Sequence, residues 1–166
     1  MTAAVATLPP AIFSPDRRYR YMLIRHVGDG DRVCLFCMLN PSTADEEVND
    51  PTITRDIGFA RAWECGWLIV VNLFAYRATN PADMKSPTVE PVGFLNDHHI
   101  LQAAALADLR VCAWGSHGSY GGRSKHVKKM LLGQGYTLHH LGLTKGGEPK
   151  HPLYLPARQE LTEWAG

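Results

Sequence analysis

Asn40, Ser42, Thr43 and Asp45 crowd into the segment Asn40-Pro-Ser-Thr-Ala-Asp45, directly after the apolar run Cys34-Leu-Phe-Cys-Met-Leu39. An amide offers a donor and an acceptor, a hydroxyl offers both in one atom, and a carboxylate accepts protons. Set at the end of a buried strand, these groups can orient a water and take its proton. Three further segments follow the same pattern: Asn72-Leu-Phe-Ala-Tyr-Arg77, Trp114-Gly-Ser-His117, and the turn-rich stretch from Thr144 to Pro152 that contains His151. In open α/β sheets ligands bind beyond the carboxyl ends of the strands. Four such ends describe one composite site.

The expected catalytic residues are Asn40, Asp45 and His151, with Ser42, Thr43, Asn72, Arg77, Trp114 and Ser116 binding the substrate. Asn40 can orient a water or pair with a base edge, and it can also form an Asn-Pro turn. Asp45 serves equally as a general base or as a turn cap. Asn72 ends an apolar strand, where an unpaired amide costs about 1–3 kcal/mol, so it bridges loops or meets ligand. Arg77 can grip phosphate or carboxylate, or lie on the surface. Trp114 can stack on a base or fill the core. His151, in Lys-His-Pro-Leu, is the best general acid or cation, and Asp50 reads as a helix N-cap. The glycine-rich segment Gly115 to Gly122 can cradle an anion. Phosphate-loop, dinucleotide-binding, nucleophile-elbow and metal-ligand motifs are missing, so no metal or cofactor is expected.

The elements that must position these groups follow from hydrophobic periodicity. Tyr19 to Val27 and Arg32 to Leu39 are β-rich runs around Gly28-Asp-Gly30, which predicts a hairpin whose glycines supply positive φ. Asp50-Pro51 opens a helix with Ile53, Ile57, Ala60 and Trp63 on one face and Gly66 as its stop. Trp67 to Phe74 and Leu109 to Trp114 are continuous apolar strands of the kind buried on both faces. Helices are expected up to about Ala107, over Ser124 to Leu132, and in the last residues to Trp164, with a strand over Tyr136 to Leu143. Strands alternating with helices predict an α/β fold with a mostly parallel sheet covered on both faces, plus the antiparallel opening hairpin.

With 166 residues and a formal charge of +1, the chain has room for one core and no strong global field for nucleic acid. Residues 1–18 are expected as a flexible tail and 19–166 as one α/β domain. Two clusters, Arg17, Arg18, Arg20 and Arg25, and Arg123, Lys125, Lys128 and Lys129, offer local basic faces or simple solvated surface. Met1 to Pro10 lacks the pattern of a signal peptide, and no apolar run approaches the roughly 20 residues of a membrane span. A cytoplasmic protein with reduced cysteines and no membrane partner is expected. Cys34 and Cys37 fall three apart on a strand and face opposite ways, and Cys65 and Cys112 sit beside apolar runs, so all four read as buried.

Met38-Leu-Asn-Pro-Ser-Thr-Ala44, Asn49-Asp-Pro-Thr52, Val71-Asn-Leu-Phe-Ala-Tyr-Arg77, Ala113-Trp-Gly115 and His151-Pro-Leu153 resemble the DUF1643 family, from about Tyr19 to Pro156. More distantly, Leu39-Asn-Pro41 after a strand, Asn72 with Arg77, and His151-Pro152 near the end resemble, in that order, the motifs of the uracil-DNA glycosylase superfamily. That resemblance implies a three-layer α/β/α sandwich. It also implies that Asn40 positions the attacking water, Asn72 reads the edge of a flipped base, and His151 stabilises the departing base. The chain departs from that pattern at Met38, where a glycine is usual. It departs again at Ser42-Thr-Ala44, where the stacking aromatic is missing, and at Leu153, where a serine is usual.

The leading expectation is a nucleobase-recognising hydrolase that cleaves an N-glycosidic bond in nucleic acid or nucleotide. The alternatives are a non-catalytic nucleotide or nucleic-acid binding module, and a hydrolase or transferase acting on a small phosphorylated metabolite through Arg77 and the glycine-rich loop.

Overall fold

The computed structural model describes residues 2–166. In chain order the elements are helix α1 (Thr2–Ala6), strands β1 (Ala11–Phe13), β2 (Arg20–His26) and β3 (Arg32–Met38), helix α2 (Pro51–Ala62) and strand β4 (Cys65–Asn72). Helices α3 (Pro81–Met84) and α4 (Asn96–Leu106), strand β5 (Leu109–Cys112), helix α5 (Arg123–Gly133), and strands β6 (His139–His140) and β7 (Thr162–Glu163) follow. Short 3-10 turns occupy Ser116–Gly122, broken by non-helical backbone at Tyr120 and Gly121, and Pro152–Tyr154. Among the described residues no helix is long and apolar enough to cross a membrane.

The strands form one seven-stranded sheet in the order β1-β2-β4-β3-β5-β6-β7. The pairs β4–β3, β3–β5 and β5–β6 are parallel, whereas β1–β2, β2–β4 and β6–β7 are antiparallel. The sheet is therefore mixed rather than mostly parallel, with a parallel centre and antiparallel pairings on both sides. The C-terminal segment expected as a helix carries β7 instead, and Trp164 donates its backbone N–H to Leu138.

The hairpin expected around Gly28 and Gly30 does not form, because β4 inserts between β2 and β3. The connection passes close under the start of β4, where Val27 and Gly28 both donate to the Gly66 carbonyl. A Cβ on Gly30 would lie 2.1 Å from the Glu64 oxygen, and one on Gly66 would lie 1.8 Å from the Gly30 oxygen. These glycines permit two backbones to touch; neither Gly28 nor Gly30 has a positive φ. The helix stop expected at Gly66 falls on Glu64, which takes φ 59 itself. Gly66→Ala is expected to cost at least about 1–3 kcal/mol, since the obstructing atoms are backbone and cannot rotate away. A chemical denaturation midpoint equal to that of the natural chain would contradict this.

Side chains alternate across the sheet with period two. Along β3, Val33, Leu35 and Cys37 join a core with Ile100 and Ala103 of α4 and Val127 and Leu131 of α5. Cys34, Phe36 and Met38 face Ile53, Phe59 and Ala60 of α2. Cys34 and Cys37 accordingly point to opposite faces. The described part of the segment expected as a tail is packed down: Val5 is fully buried in the α4–α5 core, and β1 pairs with β2. An antiparallel N-terminal hairpin does exist, made from β1 and β2. Helix α2 begins as its sequence implies, with Pro51 in the first turn and the Asp50 side chain accepting the Ile53 N–H at 2.9 Å.

Candidate functional site

Strand register decides what meets at the sheet edge. Met38 at the end of β3 is level with Asn72 at the end of β4, and Cys37 is level with Cys112 of β5, which is level with His140 of β6. Four carboxyl ends thus open on one edge. Strand β2 runs antiparallel and delivers its amino end, Arg20, to the same edge.

Hydrogen bonds tie the emerging loops together. Leu73 and Phe74 donate to the carbonyls of Met38 and Leu39. The Asn40 Nδ2 donates to Ala78 O at 2.7 Å, and the Asn96 Nδ2 donates to the carbonyls of Asn72 and Leu73. On the other side, Gly115 N–H donates to Pro149 O at 2.7 Å. Glu148 accepts from Trp114 Nε1 and from the Ser124 hydroxyl, which latches the 144–151 turn to β5 and α5.

Between these loops lies a cleft of about 650 Å³ lined by Asn40, Ser42, Thr43, Trp114, Ser116 and His151, all expected site residues, together with Asp50, His117, Lys150 and the apolar Leu39, Pro51, Leu153 and Leu155. A second space, a chamber of about 40 Å³, shares Asn40, Ser42, Asp50, Thr52 and His151 with the cleft and adds Arg20 and Asn72. A polar space of this size suits a single water with several hydrogen-bond partners.

The chamber's groups have defined states. His151 Nδ1 accepts the Leu153 N–H at 3.2 Å, so the neutral ring carries its proton on Nε2 as a donor. Burial pushes the His151 pKa below its ordinary 6.5, against the opposing pull of Asp50. Arg20 is buried; it donates to Ala44 O at 3.1 Å and to Asn72 Oδ1 at 3.4 Å, and its Nε has no partner among the described residues. Burial lowers its pKa to about 10, the nearby Asp50 charge resisting. Asp50 holds Ile53 N–H with one oxygen and Ala44 N–H, at 3.4 Å, with the other. Behind it, Asp56 of α2 is fully buried with neither oxygen hydrogen-bonded. Burial first, and then Asp50, push its carboxyl well above the usual range while Arg20 opposes.

Three expected residues lie elsewhere. Asp45 lines neither space; its Oδ1 accepts from the Glu47 and Val48 N–H groups, which hold its carboxyl below the usual range. It caps a turn, and the carboxylate at the site is Asp50. Asn72 reaches only the chamber, which is too small for a base, and its Oδ1 is taken by Arg20. Arg77 lines a separate open groove with Arg17 and Arg18, joined to the cleft through Ser42, Thr43 and Thr79, and its guanidinium lies over Phe13 at 4.9 Å. Trp114 is 1% exposed, and a Cβ on Gly118 would come within 2.1 Å of its ring. The indole is therefore cleft wall and core together, with no free face for stacking. The sequence places Arg20 only in a basic cluster and His117 only at the end of a strand-end segment, and assigns Lys150 no role; an arginine heading an otherwise apolar strand is the signal that sets Arg20 apart.

A family model described as "Protein of unknown function (DUF1643)" matches residues 20–153. No curated protein and no solved structure matches the chain.

Proposed function

Starting from the chain's membership of the DUF1643 family, we propose that it is a hydrolase that cleaves an N-glycosidic bond in a nucleotide or nucleic acid. The observation that carries this reading is the shared wall. Asn40, Asp50 and His151 belong both to a cleft wide enough for a planar base and to a chamber sized for one water. We read α2 on one face of the sheet and α1, α4 and α5 on the other as a three-layer α/β/α sandwich, the arrangement of the glycosylase-like fold.

In this reading the base lies against Leu39, Pro51, Leu153 and Leu155. The chamber water attacks C1′ of the sugar, forming the C–O bond as the C–N bond breaks. Asp50 accepts the water's proton, and Asn40 orients the water through its amide oxygen. His151 keeps its proton and directs a hydrogen bond from Nε2–H to the departing base anion, whose charge it stabilises. The proton on Asp50 then neutralises the released base. No metal is needed for any of these steps.

Incubation with oligonucleotides and free nucleosides carrying a panel of modified bases is expected to release free base from at least one of them. Asn40→Ala is expected to slow that release by about 10²-fold, because a misplaced nucleophile loses its near-attack geometry. Binding without base release across the panel would favour a non-catalytic nucleotide-binding module. No binding and no release would remove both.

A further inference from the structure

We propose that the cleft carries a phosphate-ester subsite made by His117, Lys150 and Ser116, with Lys85 holding His117 in its donor state. This assignment rests on the reading of the cleft as a nucleotide site. The backbone bond from Gly115 N–H to Pro149 O sets two segments side by side, so that the residues which follow, Ser116-His117 and Lys150, line the same cleft. None of these three lines the water chamber. The ammonium of Lys85 lies 2.9 Å from His117 Nδ1. An ammonium can only donate, so Nδ1 accepts and the ring proton sits on Nε2, a donor still available to a ligand. Lys85 also lies 5.2 Å from the centre of the Tyr120 ring, which steadies its position.

Hydrogen bonding separates this cluster from the neighbouring groove. There Arg17 is held bidentate by Glu46, Arg18 lies near Asp16, and Arg77 is committed to the Ser42 and Arg17 carbonyls and to the Phe13 ring. Lys85, His117 and Lys150 form no ion pair among the described residues, and the one carboxylate lining the cleft, Asp50, belongs to the chamber wall. The Lys150 ammonium, the His117 imidazole N–H and the Ser116 hydroxyl match the acceptor oxygens of a phosphate ester, with the Lys85 charge behind His117 adding to the local positive field. An unphosphorylated nucleoside would leave them without a counterpart.

The test uses the full chain with inorganic phosphate as the first probe. Phosphate is expected to shift the His117 imidazole Nε2 signal in nitrogen-detected NMR while leaving those of His98 and His99 in place. A Lys85→Ala/Lys150→Ala variant is expected to weaken phosphate binding by about tenfold or more, as loss of charge-assisted hydrogen bonds implies. A nucleoside, its 5′-monophosphate and a dinucleotide then identify the source: tighter binding of the monophosphate assigns a terminal phosphate, and tighter binding of the dinucleotide assigns a phosphodiester within a strand. An unmoved His117 signal, unchanged affinity in the double variant, or equal affinity for nucleoside and phosphate ester would overturn the subsite. Phosphate binding without release of any base overturns the hydrolase reading and leaves the subsite standing; base release with no preference for phosphate does the reverse.

Discussion

At about pH 8 the Asp56→Asn variant is expected to melt several degrees above the natural chain, and at about pH 4 the two are expected to melt together. In the unfolded chain the Asp56 carboxyl loses its proton near the ordinary 3.8, whereas the folded protein holds it well above that value, chiefly by burial. Between the two values folding takes up a proton that the unfolded chain has already released. Stability therefore falls as pH rises through that window, by at most about 1.4 kcal/mol per pH unit. Asparagine has the shape of the neutral acid and no proton to recover, so its stability lacks this slope. For a chain of this size each kcal/mol moves the melting temperature by roughly 2–4 °C. Parallel melting curves at every pH would show that Asp56 does not hold its proton.

Asp50→Asn is expected to separate chemistry from folding at the adjacent position. Asparagine is as good an N-cap as aspartate, so the Ile53 N–H keeps its acceptor, and the fall in melting temperature reports only the lost Ala44 contact and the lost charge beside Arg20. As the proton acceptor for the chamber water, however, the side chain is lost, and base release is expected to fall by about 10²–10⁴-fold. Asp50→Ala should lose both functions: the release rate, and about 1 kcal/mol of stability from the missing cap. If Asp50→Asn turns over at the natural rate, Asp50 is only a cap and the proposed mechanism fails.

Asp50 and Asp45 show how much of the site is legible in the residues alone. Asp50-Pro51 announced a helix start correctly, because a cap is a hydrogen bond spanning three residues and is set locally. Its second face, toward the chamber, depends on Ala44, Arg20 and His151 arriving from distant parts of the chain. Asp45 looked the better base because it follows the polar cluster at the strand end. A turn that supplies the Glu47 and Val48 N–H groups takes up its oxygen instead.

Arg20 marks a different gap. The polar segments at the carboxyl ends of strands carry Asn40, Asn72, Trp114 and His151. A strand running antiparallel brings its amino end to the same edge, and the direction of β2 is a property of the sheet.

By itself the sequence determined what is local: the central strands β2, β3, β4 and β5, where α2 is capped, that Cys34 and Cys37 face opposite ways, and which polar segments leave the strand ends. These depend on periodicity and on hydrogen bonds a few residues long. The tertiary structure alone decided that β4 separates β2 from β3, that Gly30 and Gly66 serve a backbone crossing, and that Asp50 rather than Asp45 joins Asn40 and His151. Strand pairing and side-chain convergence minimise the exposure of the whole chain at once. No short segment holds enough of the buried surface to choose among the alternatives.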